Sequence, residues 1–537
     1  MRGVQVFRSR QLLLICGTFL AVLLCVFFTT EEKAFATNYY VDSVNGDDTK
    51  DGMSESNAWR NLDNVNSKTF TAGDRLYLKS GSIWNGQQLY PKGSGASGNP
   101  IIVDLYGGTT KPIINQGGGA TGAIYLYNQE YWEFNNLELT NDSASAGNRL
   151  GVKIIGEDKP TIDHIYIKNC YIHNVKGNLS SKTTGGIGFI IQGTTTATKW
   201  NDILIEGNTI SNVDRTGIFT VSSWSGRGGV GGGTWTGSTN IVIKNNTLSD
   251  IGGDGVTIRA ATSPLVEYNV AYDTGARAKN SNAAFWPFNS DGAVFQYNEA
   301  YNTRKLSGNN DGQGFDIDWN TNNSLFQYNY SHDNEGGFML ICQDGSAAGS
   351  FNTGGIVRYN ISQNDKIAVF SVLGPVDYSS HQSVYNNTVY LPPSSTAYAV
   401  FHGSWGGYAN YIRYYNNIFY NLGSGGYLFN GNSTRTGTGG GSSSNNVFNY
   451  NVFYGKAAPS NGGAVWIRNT LTSDPKLVNA GSGGNGLSTV NGYKLLTGSP
   501  AIGSGILITD NGGKDYWGNA VSSSAAPHRG AYNGPGQ

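Results

Sequence analysis

Short stretches in which every second residue is apolar, each broken at an asparagine, recur along most of this chain. Tyr131 to Thr140 reads YWEFNNLELT, Ile165 to Val175 IYIKNCYIHNV, Ile203 to Val213 ILIEGNTISNV and Ile241 to Ile251 IVIKNNTLSDI. Period-two alternation predicts half-buried strands. The frame continues through VFQYNEAYN, LFQYNYSHDN, IVRYNISQN, SVYNNTVY and FNYNVFY, with anchors at Asn136, Cys170, Asn208, Asn246, Asn269, Asn298, Asn329, Asn360, Asn387, Asn417 and Asn451. Steps of about 23 to 38 residues are those of a solenoid. Stacked coils would let each Asn amide bond its neighbours above and below, so the spacing predicts an asparagine ladder inside a parallel β-helix. A two-sheet sandwich also has many short strands, but would not place one residue type at one turn in every repeat.

A second strand follows each ladder strand: GGIGFIIQ, TGIFTVSS, DGVTIRAA, AAFWPFNS, GFDIDWN, GFMLICQD, IAVFSVL and YAVFHGSW. Aligned on the small residue that opens them (Gly186, Gly217, Gly255, Ala284, Gly314, Gly337, Ala368, Ala399), they form one sheet whose outward residues fall in two columns. The first column reads Gly188, Phe219, Thr257, Trp286, Asp316, Met339, Phe370, Phe401, and the second Ile190, Val221, Arg259, Phe288, Asp318, Ile341, Val372, Gly403. Asp316 and Asp318 therefore share a face, their Cα atoms about 6.6 Å apart by strand rise.

Composition agrees with many turns and few helices: 76 Gly, 32 Tyr and only 14% charged residues in 537. A net charge of −1 gives no reason to expect a nucleic acid or an anionic membrane as partner. Arg2, Arg8 and Arg10, the apolar run Leu12 to Phe28, and Ala34-Phe35-Ala36 read as a signal peptide over residues 1–36, against an uncleaved anchor as the alternative. The chain is expected to be exported, free of the membrane after cleavage, and monomeric. Cys16 and Cys25 leave with the signal. Cys170 and Cys342 lie several coils apart, too far for a disulfide, and are expected as two free, buried thiols packed like small apolar side chains. Residues 37–125 read as an N-terminal cap with first coils, 126–460 as the β-helix core, and 461–537 as closing coils and cap.

The opening NYYVDSVNGDD, the asparagine turns and the closing SPAIGSG…RGAY resemble secreted right-handed parallel β-helix proteins of the pectate-lyase-like superfamily, over nearly all of the mature chain. That resemblance implies a carbohydrate substrate, an extracellular polysaccharide, and leaves the reaction open. The outward face favours a glycoside hydrolase with Asp316 and Asp318 as acid and base, since inverting glycosidases hold their carboxyls about 6.5–9.5 Å apart. Arg259 would orient the sugar and Trp286 serve as platform. Phe288, Trp319, Asp311, Asp254, His332, Glu335 and Lys305 are further substrate-binding candidates, with turn residues as the alternative for Asp254 and Asp311 and a packed turn histidine for His332. No cofactor is required, although the Asp pair could instead hold calcium or solvate the surface. Asp47, Asp48 and Asp51 could likewise hold calcium, a solvated turn being favoured. The rival reading is a polysaccharide lyase with Arg304, Lys305, Arg259 or Lys279 as base; Gly314-Phe315-Asp316 also resembles mannuronan epimerases at those three residues alone. A noncatalytic binder presenting Trp286, Trp319 and Trp405 is the third.

Overall fold

A computed structural model describes residues 36–376 and 382–537. The signal-peptide reading and Cys16 and Cys25 lie outside the described residues. Ala36–Gln537 forms one compact unit. Its strands pair in parallel into three long sheets of 15, 13 and 11 strands, each ordered along the chain. The 15-stranded sheet runs from Asn38–Val41 to Val465–Arg468. The 13-stranded sheet runs from Ile83–Asn85 to Val452–Tyr454, and the 11-stranded one from Gly122–Tyr127 to Tyr427–Gly431. Each complete coil contributes one strand to each sheet, the architecture of a right-handed parallel β-helix. Among the described residues no helix is long and apolar enough to cross a membrane.

The ladder explains why the coils stack in register. Asn208 Nδ2 donates to Asn246 Oδ1 at 2.9 Å, Asn298 to Asn329 at 3.2 Å and Asn417 to Asn451 at 3.0 Å, and the links between them are equally formed. The same amides donate to main-chain carbonyls, for example Asn329 Nδ2 to Phe295 O at 2.9 Å. Cys170 stands at the foot of the ladder, its N–H donating to Asn208 Oδ1 at 2.9 Å. Asn136 is not a ladder residue. It has φ 60° and matches Asn169 (φ 54°) and Asn245 (φ 57°), the residues that turn the chain from one sheet to the next. Buried Leu137 holds the ladder position, because the doubled asparagine in FNNL precedes the inward residue by one.

The second-strand register also departs from expectation over two coils. Phe315 pairs with Met339, Met339 with Phe370, and Phe370 with Val400. Met339, Ile341, Phe370 and Val372 thus belong to the core, and Leu340, Cys342, Ser371 and Leu373 replace them in the outward columns. The cause is local. Gly337 opens its strand at φ 127°, where an added Cβ would lie 1.8 Å from Ala368 O, so this glycine precedes the aligned position, which Phe338 and then Val369 occupy.

At the N-terminal end Leu62 and Val65, on the helix Leu62–Ser67, pack with Trp59, Tyr39 and Phe70. Asp48 accepts from the Arg60 and Asn61 N–H groups, Asp47 from Thr49 and Asp51 from Met53, so these acids brace turns. At the other end the chain after Arg468 runs back along the side of the coils. Its Val490, Tyr493, Leu495, Tyr516 and Tyr532 bury a second apolar cluster against Tyr328, Tyr330, Tyr359 and Tyr385, and Arg358 donates to Asp510 O at 3.1 Å.

Candidate active site

A cavity of about 350 Å³ opens on the outer face of the 11-stranded sheet, a volume suited to a small ligand or the end of a larger one. Its floor is the strand Gln313–Ile317 with Asp318 just beyond; alternation turns Phe315 and Ile317 into the core and Asp316 and Asp318 out into the cavity. Asn352 Nδ2 donates to Ile317 O and Cys342 O, both at 2.8 Å, and so ties the ends of two adjacent strands together. One oxygen of each carboxylate and Cys342 Sγ lie within 4.8 Å of one another.

The two acids differ in what surrounds them. Asp318 Oδ1 accepts the Trp319 N–H at 2.9 Å and the Cys342 thiol at 3.1 Å. Burial pushes its pKa up to about 6, these two donors acting against the rise. Asp316 is pushed further above the carboxylate range by burial and then by the neighbouring Asp318 and Asp311 charges. Two carboxylates this close, Asp316 buried and Asp318 half-buried, do not both ionise at neutral pH. The donors select Asp318 as the anion, and Asp316 keeps the proton.

A cationic network forms one wall. Asp254 is fully buried, and its Oδ2 accepts Arg215 Nη1 at 2.6 Å and Lys182 Nζ at 3.0 Å. Its Oδ1 accepts Trp286 Nε1 at 3.0 Å. Burial alone would raise Asp254, but Lys182 and Arg215 outweigh it and hold the group below the usual carboxylate range. Burial lowers the Lys182 ammonium, with Asp254 opposing. Lys182 Nζ and Arg259 Cζ stand over the Trp286 ring, 4.7 and 5.1 Å from its centroid. Trp286 is 5% exposed, so this indole organises the charges of the wall and offers little ring surface for stacking. Trp319, packed edge-on against Phe288 at 5.1 Å, and Trp405 also line the cavity, while Phe288 itself does not. Asp311 sits at the rim, 3.6 Å from the buried Arg435.

Arg259, expected to orient the sugar, does not line the cavity either, and three more expected substrate contacts lie elsewhere. His332 is on the 13-stranded sheet between Glu299 (3.2 Å) and Asp333 (3.0 Å). Burial alone would lower it, but these carboxylates push it up to about 9, so it is a cation at neutral pH. Glu335 accepts the Lys305 N–H at 2.7 Å, and Lys305 Nζ donates to Asn309 O. Of the candidate lyase bases, Arg304 pairs on the surface with Asp273 and Glu335, and Lys279 borders a different depression. The loop Ser223 to Ser238 does not line the cavity; Arg227 pins it against Asp291 at 2.8 Å. Lys182, Arg215, Cys342 and Arg435 escaped sequence reasoning. Only Cys342 had a usable signal, its place two residues past Leu340 on the strand beside the acids.

Asp316, Asp318 and Cys342 are the only group of three such side chains among the described residues that could hold a metal. A thiol with two carboxylate oxygens, near Lys182 and Arg435, does not suit calcium, which takes six to eight oxygen ligands.

The chain is thus a right-handed parallel β-helix protein with an acid-floored cavity on one face. No protein-family profile matches it. It is similar to a lacto-N-biosidase of Bifidobacterium longum subsp. longum, with 28% identity over an alignment of 604 residues that covers 92% of this chain and 36% of the relative. The chain therefore spans about a third of the length of that curated relative. Among solved structures it is similar to the GH136 lacto-N-biosidase of Eubacterium ramulus, with a TM-score of 0.57 and 25% identity over 73% of this chain and 67% of that one. The structure of XylC with xylose shares the fold, with a TM-score of 0.51 at 12% identity over 93% of this chain and 98% of that one.

Proposed function

We propose that this chain is a secreted, monomeric glycoside hydrolase that cleaves a glycosidic bond of an extracellular carbohydrate without a cofactor. The observation that carries the reading is the acid pair on the cavity floor, Asp318 polarised as the anion by two donors and Asp316 held neutral beside it. The likeness to lacto-N-biosidases supports the reaction class and makes glycans ending in lacto-N-biose the first substrates to test.

Asp318 attacks the anomeric carbon as the bond to the leaving oxygen breaks, and that oxygen takes a proton from a carboxylic acid in the same cavity. Asp316 holds such a proton at neutral pH, and Asp311 stands at the rim, where a leaving group would exit. Water then attacks the glycosyl ester, gives a proton back to the acid and frees Asp318. A carboxylate that attacks the anomeric carbon forms a glycosyl ester, so the product keeps its anomeric configuration.

The test is the release of reducing ends from lacto-N-biose-terminated and other glycans, with proton NMR of the anomer first formed. Asp316→Asn and Asp311→Asn, compared on substrates with good and poor leaving groups, decide which acid supplies the proton: the variant rescued by a good leaving group has lost it. A chelator should leave the rate unchanged. An unsaturated uronate product would replace this reading by the lyase, and binding without turnover by the adhesive protein.

A further inference from the structure

The mechanism above uses two acids of the cavity floor and leaves unexplained why a thiol lies against them. Cys342 is 2% exposed yet lines the cavity, with Sγ 3.1 Å from Asp318 Oδ1 and 3.8 Å from Asp316 Oδ1. The other described cysteine, Cys170, meets only main-chain oxygens, at 3.4 and 3.8 Å, inside the coil. Packing alone would not require an S–H at Cys342, since its sheet neighbour in the same outward column is Leu373. The thiol is also a poor nucleophile here, because burial and then the neighbouring Asp316 and Asp318 carboxyls raise its pKa well above the ordinary thiol range. It stays protonated and has a proton to donate.

We propose that Cys342 is a positioning residue for Asp318, its S–H and the Trp319 N–H together fixing Oδ1 so that Oδ2 is the oxygen presented to the reacting carbon. The inference rests on the hydrolase reading for its kinetic consequence and on geometry for the contact itself. Both described hydrogen bonds to this carboxylate end on Oδ1. A carboxylate held by one oxygen cannot rotate away from attack, and a donor to its charged form favours ionisation.

Cys342→Ala should lower kcat about tenfold, the value of one hydrogen bond to a charged group. KM should hold within about twofold, as expected for an interaction realised in the transition state. The acidic limb of the kcat/KM profile should move to higher pH as Asp318 loses a donor, and Cys342→Ser, which keeps an O–H, should restore both. An Ala variant with the wild-type kcat and an unmoved limb, or a Ser variant as impaired as Ala, would overturn the proposal. A second readout needs no turnover: iodoacetamide labelling of Cys342, read by peptide mass spectrometry as a function of pH. Asp318→Asn removes a charge that holds the thiol protonated, so half-maximal labelling should come at lower pH in that variant. An unchanged labelling profile would refute the contact, whereas a shifted profile in a protein that cleaves no glycan would leave the contact standing and remove the hydrolase reading instead.

Discussion

The asparagine ladder and the cavity wall are built from the same stacked coils and obey opposite rules. Along the ladder one side chain repeats, and each amide satisfies the next. Along the wall the outward column changes at every coil, from Gly188 and Phe219 through Thr257 and Trp286 to Asp316, Leu340 and Ser371. The ladder gains from sameness, because a donor and an acceptor recur at a fixed spacing and no buried amide is left over. The wall gains from difference: only unlike neighbours can hold one carboxyl neutral and the next ionised, or surround one indole with two cations.

That contrast can be broken at either end. Asp318→Asn should reduce turnover by about 10⁴-fold, the scale on which loss of a reacting group acts, while the thermal unfolding midpoint holds or rises. Asn329→Ala should do the reverse. It strips the acceptor from the Asn298 N–H and amide and removes a donor from Phe295 O in the core, at about 3–5 kcal/mol for several unsatisfied buried groups. Chemical denaturation would show the loss, and the variant that remains folded should keep its specific activity.

Asp316→Asn tests the stability side of the wall. The carboxyls of the unfolded chain ionise near the ordinary value, whereas Asp318 in the folded pair does so at about 6 and Asp316 higher still. The folded state therefore binds more protons, and it loses stability as pH rises from the ordinary carboxylate range through about 6. A neutral amide at 316 needs no proton taken up on folding, so the variant should be more stable than wild type at pH 7 by on the order of 2–3 kcal/mol, and no more stable near pH 4. Equal differences at both pH values would show that the carboxyls do not share a proton.

The same contrast decides what could be read from the chain. The ladder was legible because Asn208 to Asn451 must repeat one chemistry at one turn, and it failed only at Asn136, where two asparagines adjoin and the turn residue mimics the ladder residue. The strand FDID was legible through alternation alone, which sets Asp316 and Asp318 on one face. Asp254, Trp286, Asp311, Trp319 and Trp405 were legible as candidates too, but the cations around them were not, since Lys182, Arg215 and Arg435 arrive from segments far apart in sequence with no period to link them. The slip at Gly337 had a physical cause as well: with Gly336 and Gly337 adjacent, composition does not reveal which glycine opens the strand, and the aligned site itself holds a phenylalanine. That single slip hid Cys342 from the acids it contacts. The lateral course of the C-terminal segment was hidden too, because the tyrosines it covers, Tyr328, Tyr359 and Tyr385, read in sequence like any outward strand residue.

The smallest expected effect sharpens the comparison most directly, because it asks whether sameness itself stabilises. Cys170 occupies a ladder position with a side chain that makes only weak sulfur contacts, to Phe134 O and Lys168 O. An asparagine there has its partner waiting: Asn208 Oδ1 already accepts the Cys170 N–H at 2.9 Å, and in every coil above the same oxygen also accepts the amide of the residue below. Phe134 O stands where Ile167 O stands for Asn208. Cys170→Asn should therefore extend the ladder by one coil and stabilise the protein by about 1 kcal/mol, the net value of a well-formed buried hydrogen bond. The gain is small because Leu137 ends the row with no amide to continue it, and Cys170→Asn together with Leu137→Asn should exceed the sum of the two single changes, since neighbouring ladder residues share their bonds. Strict additivity in a double-mutant cycle would mean that each amide is worth the same with or without its neighbour, and that repetition as such contributes nothing to the coil.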